Sequence, residues 1–267
     1  MQVDEDAPIK DEPAVDFDYD FYDPTEVVIE EARRAAKSGD TSNFYSTLER
    51  MKVVNGTGVD CRDAFTYQTP LHFATIAGET EVVEILIAAG ADIEAACMAG
   101  DTVLTKAAEH GRRGVVRALI RAGVDLGAPR RDDGATALHM AAMSGYGDIC
   151  ASLIRAGADV EVRTPRGMSP LHFAAIGGST GTNNAVDVLL ELGADIDGAD
   201  YQGWTAVVHA SYVHEPDMIE YLLSKGASLA VRDLNGDTPL HHAMHNGMEA
   251  HVRTMLKYGA DVFAENR

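Results

Sequence analysis

Four histidines stand close together near the C-terminus, at His241, His242, His245 and His251. On a helix, imidazoles at i and i+4 share a face and can hold one metal ion between them. His241 and His245 have that spacing, but no HExxH sequence surrounds them and no cysteine is near. A structural His241 beside a solvated polar cap is the account the sequence favours. Cys61, Cys97 and Cys150 are odd in number and lack CxxC spacing, which suits reduced thiols in the cytosol or nucleus. The Gly-rich run over 178–184 stands just before a helical pattern, where backbone N–H groups can cradle phosphate. It lacks the P-loop lysine and follows no strand, so it reads as a loop insertion. The sequence contains no GxSxG elbow, and no Walker or GxGxxG loop between strand and helix. These residues point to no catalytic group, no cofactor and no metal.

The elements that carry them are set by one stretch, Thr69 to Asp92. Thr69 is a good helix N-cap and Pro70 suits the first helical position, where a missing N–H costs nothing. Leu71, Ala74 and Ala77 make a short apolar stripe, and Gly78 can end the helix in a left-handed conformation. A second amphipathic run, Val82, Val83, Leu86 and Ile87, closes at Gly90. Neither helix can bury its stripe alone. The capping residue recurs at Thr102, Thr136, Ser169, Thr205 and Thr238, at spacings of 33, 34, 33, 36 and 33. The closing glycine recurs at Gly123, Gly157, Gly193, Gly226 and Gly259 in the same register. Two independent markers keeping one period define a repeat protein, whose units bury their faces against each other.

TPLH stands intact at Thr69–His72 and Thr238–His241, and SPLH at Ser169–His172. It weakens to TALH at Thr136–His139, TVLT at Thr102–Thr105 and TAVV at Thr205–Val208. With a period near 33, this opening resembles the ankyrin repeat family. The resemblance implies an all-α repeat solenoid, helix–turn–helix units joined by β-hairpin loops, elongated and curved. It covers six repeats over about 61–267, preceded by a degenerate capping repeat over about 24–60. It also implies that the TVLT and TAVV repeats lose a Thr–His–backbone bond and are locally softer. Of two irregular spacings, the extra residue near Arg130–Asp133 lengthens a finger and three extra residues fall within 178–184.

Residues 1–23 are a different material, with nine acidic residues against the single base Lys10. Such a stretch cannot bury enough apolar surface to order itself, so it reads as a disordered tail. Phe17, Tyr19, Phe21 and Tyr22 alternate with aspartates, a pattern of interaction segments as well as of solubilising tails. Ile9-Lys10-Asp11-Glu12 resembles the hydrophobic–Lys–x–Glu acceptor for SUMO conjugation, which makes Lys10 a candidate modification site. A formal net charge of −20 argues against nucleic acid or an anionic membrane as partner. No apolar run is long enough to span a bilayer. Residues 112–166 run against this trend, with nine arginines and six acids. They read as scattered charge on outer helices or as a landing site for an acidic segment.

The expected function is a monomeric, non-catalytic, intracellular binding module, cytoplasmic or nuclear. The alternative is the ankyrin part of a larger signalling or transcription-regulatory protein whose tail recruits separately. The resemblance implies that the concave face is built from finger positions four, three and one before each cap and helix positions seven and eight after it. Those rules name Tyr201, Gln202, Trp204, Tyr212 and Val213, with Pro165, Arg166, Met168, Ile176 and Met143 beside them. The flanking repeats look poorer in contact residues. Trp204 either reaches into the groove or folds back on its own finger.

Overall fold

The computed structural model describes residues 58–63, 65–177, 185–213 and 216–267, together with scattered residues between 30 and 49. The acidic tail with Lys10, most of the expected first repeat and the insertion over 178–184 lie outside the described residues. After a 3-10 turn at Gly58–Asp60, helices follow in pairs. They are α1 (Pro70–Ala77) and α2 (Thr80–Ala88), α3 (Val103–Glu109) and α4 (Arg113–Arg121), α5 (Ala137–Met143) and α6 (Gly147–Arg155). Then come α7 (Pro170–Gly177) and α8 (Ala185–Glu191), α9 (Ala206–Ala210) and α10 (Pro216–Ser224), α11 (Pro239–His245) and α12 (Glu249–Lys257). First helices pack on first helices along the chain, and second helices largely on second helices. This is an all-α solenoid. Among the described residues the hairpin loops form no strand, only the isolated bridge Ala96–Thr102.

The register of the sequence is the register of the core. Two residues after each cap stand Leu71, Leu104, Leu138, Leu171, Val207 and Leu240, all buried. Each second helix buries Leu86, Leu119, Leu153, Leu189, Leu222 or Met255, four residues before its closing glycine. Burial of one such side chain contributes roughly 1.5–3 kcal/mol. Ala74, Ala107, Ala141, Ala174, Ala210 and Ala243, also buried, keep adjacent first helices close. The closing glycines lie in the left-handed region, as their spacing predicts, with φ from 83° to 112°.

The motif histidines are the rivets of the stack. The N–H of Thr69 donates to Nδ1 of His72 at 3.2 Å, so Nδ1 accepts and the ring proton sits on Nε2. That Nε2–H faces the Asp101 carbonyl in the next finger. His139 reaches the Met168 carbonyl at 3.1 Å, and His172 the Trp204 carbonyl at 2.9 Å. Where the motif decays, the two repeats differ. Thr105 does not accept from the cap N–H as histidine does; its hydroxyl donates to the Thr102 carbonyl at 2.8 Å, and it makes no bond to the next finger. At TAVV nothing replaces it, and the buried Thr205 hydroxyl has no partner. The softest described repeat should therefore be the one capped by Thr205. Val208→His should restore both bonds and stabilise by about 1 kcal/mol, read as a higher denaturation midpoint; an unchanged or lower midpoint contradicts the rivet.

Each finger closes by a backbone bond, such as Cys97 N–H to Asp101 O at 3.0 Å and Asp200 N–H to Trp204 O at 2.9 Å. The finger with the extra residue closes one position wider, from Arg130 N–H to Ala135 O at 2.8 Å, as does the first finger, from Asp63 N–H to Gln68 O at 2.9 Å. Arginines stitch fingers together. Arg163 donates to the carbonyls of Gly167 and Ala199, and Arg232 to those of Gly236 and Glu265. Gly134 and Gly167 let the next finger lie close, because an added Cβ would strike the Pro165 and Tyr201 rings. In the first finger that left-handed position is held by Tyr67 at φ 59°, the one non-glycine with positive φ among the described residues.

Candidate functional site

Fingers and first-helix edges face each other across open hollows on one side of the stack. The hollow at the last two repeats, about 310 Å³, is lined by Tyr212 and His245 from helix edges and by Asp237 and Asn266 from fingers. Four residues before each cap is a finger tip: Phe65, Met98, Asp132, Pro165, Tyr201 and Leu234. All six are exposed, and Phe65, Tyr201, Leu234 and Met98 expose 86%, 69%, 67% and 61% of their surface. A monomeric surface rarely carries such side chains in a row without use. The flanking repeats, expected to be poorer in contact residues, carry Phe65, Met98 and Leu234, which are as apolar and nearly as open as Tyr201 or more so. The same positional rule, applied to every repeat, finds them.

Among the expected groove residues, Pro165, Arg166, Tyr201 and Gln202 are exposed on fingers, and Met143 and Tyr212 are exposed on helix edges. Ile176 and Val213 are half-buried. Met168 is half-buried and packs on the core, so it supports the finger more than it presents a surface. Tyr201 N–H donates to the Arg166 carbonyl at 3.2 Å, joining two neighbouring tips.

Trp204 takes neither of the two expected positions. Its ring stacks on Tyr212, with centroids 5.0 Å apart and planes 13° from parallel. His209 and His242 meet it edge-on at 5.5 and 5.0 Å. Its Nε1–H donates to the buried Asp233 carboxylate of the following finger at 3.3 Å. Trp204 therefore ties the last two repeats together, and Tyr212 on the other side of the stack is exposed. Two Asp–His pairs flank it, Asp200–His209 at 3.0 Å and Asp233–His242 at 3.1 Å. Burial lowers the pKa of His209, against the opposing pull of Asp200. Asp233 is lowered despite its burial, because the Asp237 and Asn235 N–H groups and His242 donate to it. Sequence reading missed these pairs. The solvated polar cap also fails, because His242 and His251 are buried.

The arginine-rich span is mostly structural. Arg113 pairs with Asp148, Arg121 with Glu84, and Arg130 with Asp133 and Asp101. Arg112 caps the Ile76 carbonyl at 2.9 Å. The thiols of Cys61 and Cys150 are pushed up to about 11 and about 12 by burial and by neighbouring Asp60 and Asp148, so neither is a nucleophile.

A family model described as ankyrin repeats (3 copies) matches residues 33–130, 100–164, 122–200, 138–233 and 182–266. The chain belongs to the ankyrin repeat family. The human B-cell lymphoma 3 protein is 30% identical over 253 residues, covering 91% of this chain and 48% of its own length. Its mouse homologue is 32% identical over 200 residues, covering 74% of this chain and 37% of its own. The chain thus spans less than half the length of these curated relatives. Among solved structures, the ankyrin domain of Bcl-3, titled a unique member of the IkappaB protein family, superposes with TM-score 0.68 at 27% identity. That match covers 85% of this chain and 97% of the other. The human ASB11 ankyrin domain gives TM-score 0.71 at 21% identity over 86% of this chain and 98% of its own, a likeness of fold. The ankyrin stack explains why His72, His139, His172 and His241 recur, whereas the finger tips differ from one repeat of the chain to the next. No helix of the described residues is long and apolar enough to cross a membrane.

Proposed function

We propose that this chain is a non-catalytic ankyrin module that holds a protein partner along its fingers and first-helix edges. The observation that carries this reading is the row of exposed apolar tips, Phe65, Met98, Pro165, Tyr201 and Leu234. Apolar and aromatic side chains fixed on a rigid scaffold need little ordering on binding, which is what an interface hot spot requires. Met143, Ile176, Tyr212 and Val213 supply the groove floor, with Trp204 anchoring it from behind. The partner is a protein segment with apolar side chains, and the net charge of −20 disfavours nucleic acid. The module works as a monomer in the cytoplasm or nucleus.

Capture from native cells tests this reading with two variants. Tyr201→Glu with Phe65→Glu should release a partner that the unchanged chain holds. Arg117→Glu, on the outer helix α4, should retain it. Loss with Arg117→Glu alone would place the site on the other face.

A second reading makes this chain the ankyrin part of a larger transcription-regulatory protein. That it belongs to something larger is favoured by the B-cell lymphoma 3 relatives, of whose length the chain spans 48% and 37%. A transcript continuing past Arg267 supports it, and a stop codon there supports the free-standing module.

A further inference from the structure

Beyond partner binding, Asp233, Asp237 and His242 converge at the last finger. One ligand atom from each, a carboxylate oxygen or an imidazole nitrogen, lies within 4.8 Å of the other two. They stand five and one residues before the cap and four after it. In the repeat capped by Thr102 the triangle is Cys97, Asp101 and Lys106, and there the Lys106 ammonium sits 2.9 Å from the Asp101 carboxylate. The chain supplies its own cation at that finger. At the last finger two carboxylates meet an imidazole, and no lysine or arginine pairs with either among the described residues.

We propose that Asp233, Asp237 and His242 bind a divalent transition-metal ion, Zn²⁺ fitting this donor set best, with water completing the coordination. Carboxylate oxygen and imidazole nitrogen suit zinc, and three protein ligands plus water is a recurrent zinc geometry. Nε2 of His242 and Oδ2 of Asp233 are 3.1 Å apart. Two ligands at zinc bond lengths sit about 3.4 Å apart in a tetrahedron, so this edge is nearly formed. Asp237 closes the triangle by turning inward and giving up the 2.8 Å hydrogen bond from the Asn266 amide. The open hollow of about 310 Å³ beside Asp237 and His242 admits a hydrated ion.

The surroundings orient these ligands. The N–H groups of Asn235 and Asp237 donate to Oδ1 of Asp233, both at 2.8 Å, and hold the carboxylate in place. The Tyr212 hydroxyl lies 3.1 Å from Nδ1 of His242. A carboxylate only accepts, so Nε2 carries the ring proton now and Nδ1 accepts from Tyr212. When the ion takes Nε2, that proton is released and Nδ1 takes one up, donating to the Tyr212 oxygen. The ring stays neutral and the proton count is unchanged. Such a partner on the far nitrogen is typical of metal-bound histidine.

Trp204, the chain's only tryptophan, donates to Asp233 and reports on the site directly. The full chain without a polyhistidine tag is titrated with Zn²⁺ while Trp204 emission is followed, and retained zinc is counted after dialysis. The expected result is an emission change that saturates at one equivalent and is reversed by chelator. Asp237→Asn, nearly isosteric and at the rim of the pocket, should weaken Zn²⁺ binding at least about tenfold with its thermal midpoint kept. His245→Ala should bind as the unchanged chain does. Flat emission with no retained zinc overturns the proposal. So does unweakened binding by Asp237→Asn, or a loss in His245→Ala equal to that in Asp237→Asn.

Discussion

Trp204→Ala should lower stability by about 2–3 kcal/mol, somewhat below the range for a fully buried large-to-small change because the ring is half-buried. The loss should fall on the last two repeats, since the ring stacks on Tyr212 and bonds Asp233 across the repeat boundary. The sequence alone predicts a different outcome, helicity nearly intact, because a finger residue stands outside the helix stack. The structure revises this: the indole is packed against residues of α9 and α11. Partner binding should also weaken by at least ~2 kcal/mol, because the Tyr212 face loses its support. Trp204→Phe separates the two effects. It keeps a ring over Tyr212 and removes only the N–H, so binding should largely survive while the repeat boundary softens. Denaturation midpoints of both variants decide the matter, and a fully stable Trp204→Ala contradicts the anchoring role.

Acid should loosen the stack well before its carboxylates are protonated. Burial holds the imidazole pKa values of His72, His139 and His172 down to about 4. The folded-state values lie below the ordinary 6.5, so between 6.5 and about 4 the unfolded chain binds protons that the folded chain does not. Stability is then complete above pH 6.5 and falls as pH drops toward 4, at up to about 1.4 kcal/mol per pH unit for each titrating group. By pH 5 each imidazole removes about 2 kcal/mol, and the three together approach the whole stability of an ordinary domain. Asp133 and Asp233 have lowered values, so their contribution is lost only at lower pH, as it falls through the carboxylate range. Denaturant midpoints between pH 7 and 5 should fall steeply, and His139→Gln should remove about one third of the slope. A flat profile contradicts the buried neutral rivets.

The fold was legible because its determinants are local and repeated. Thr69, Pro70 and His72 settle a helix start within four residues, and Gly90 settles an end. The leucines between them can meet only their equivalents in the next unit. The site was less legible because a side chain's partner across a repeat boundary depends on which residue the next unit carries, even where the spacing is regular. Trp204 and Asp233 are 29 residues apart, as are His139 and Met168, and nothing in one repeat says which partner the next will offer. The arginines over 112–166 show the same limit. Counted as charge they net +3, yet Arg112 caps a carbonyl and Arg113, Arg121 and Arg130 form ion pairs with their neighbours. Phe65, Met98 and Leu234 are within reach of the positional rule as much as the aromatic residues around Thr205 are.

A hydrogen-exchange and cross-linking footprint of the chain with its captured partner tests the binding face most directly. Added protection should run along the finger tips from Phe65 to Leu234 and the helix edge at Met143 and Tyr212, leaving the outer helices α4, α6 and α12 unchanged. Protection confined to those outer helices, with the fingers exchanging as in the free chain, would contradict the account.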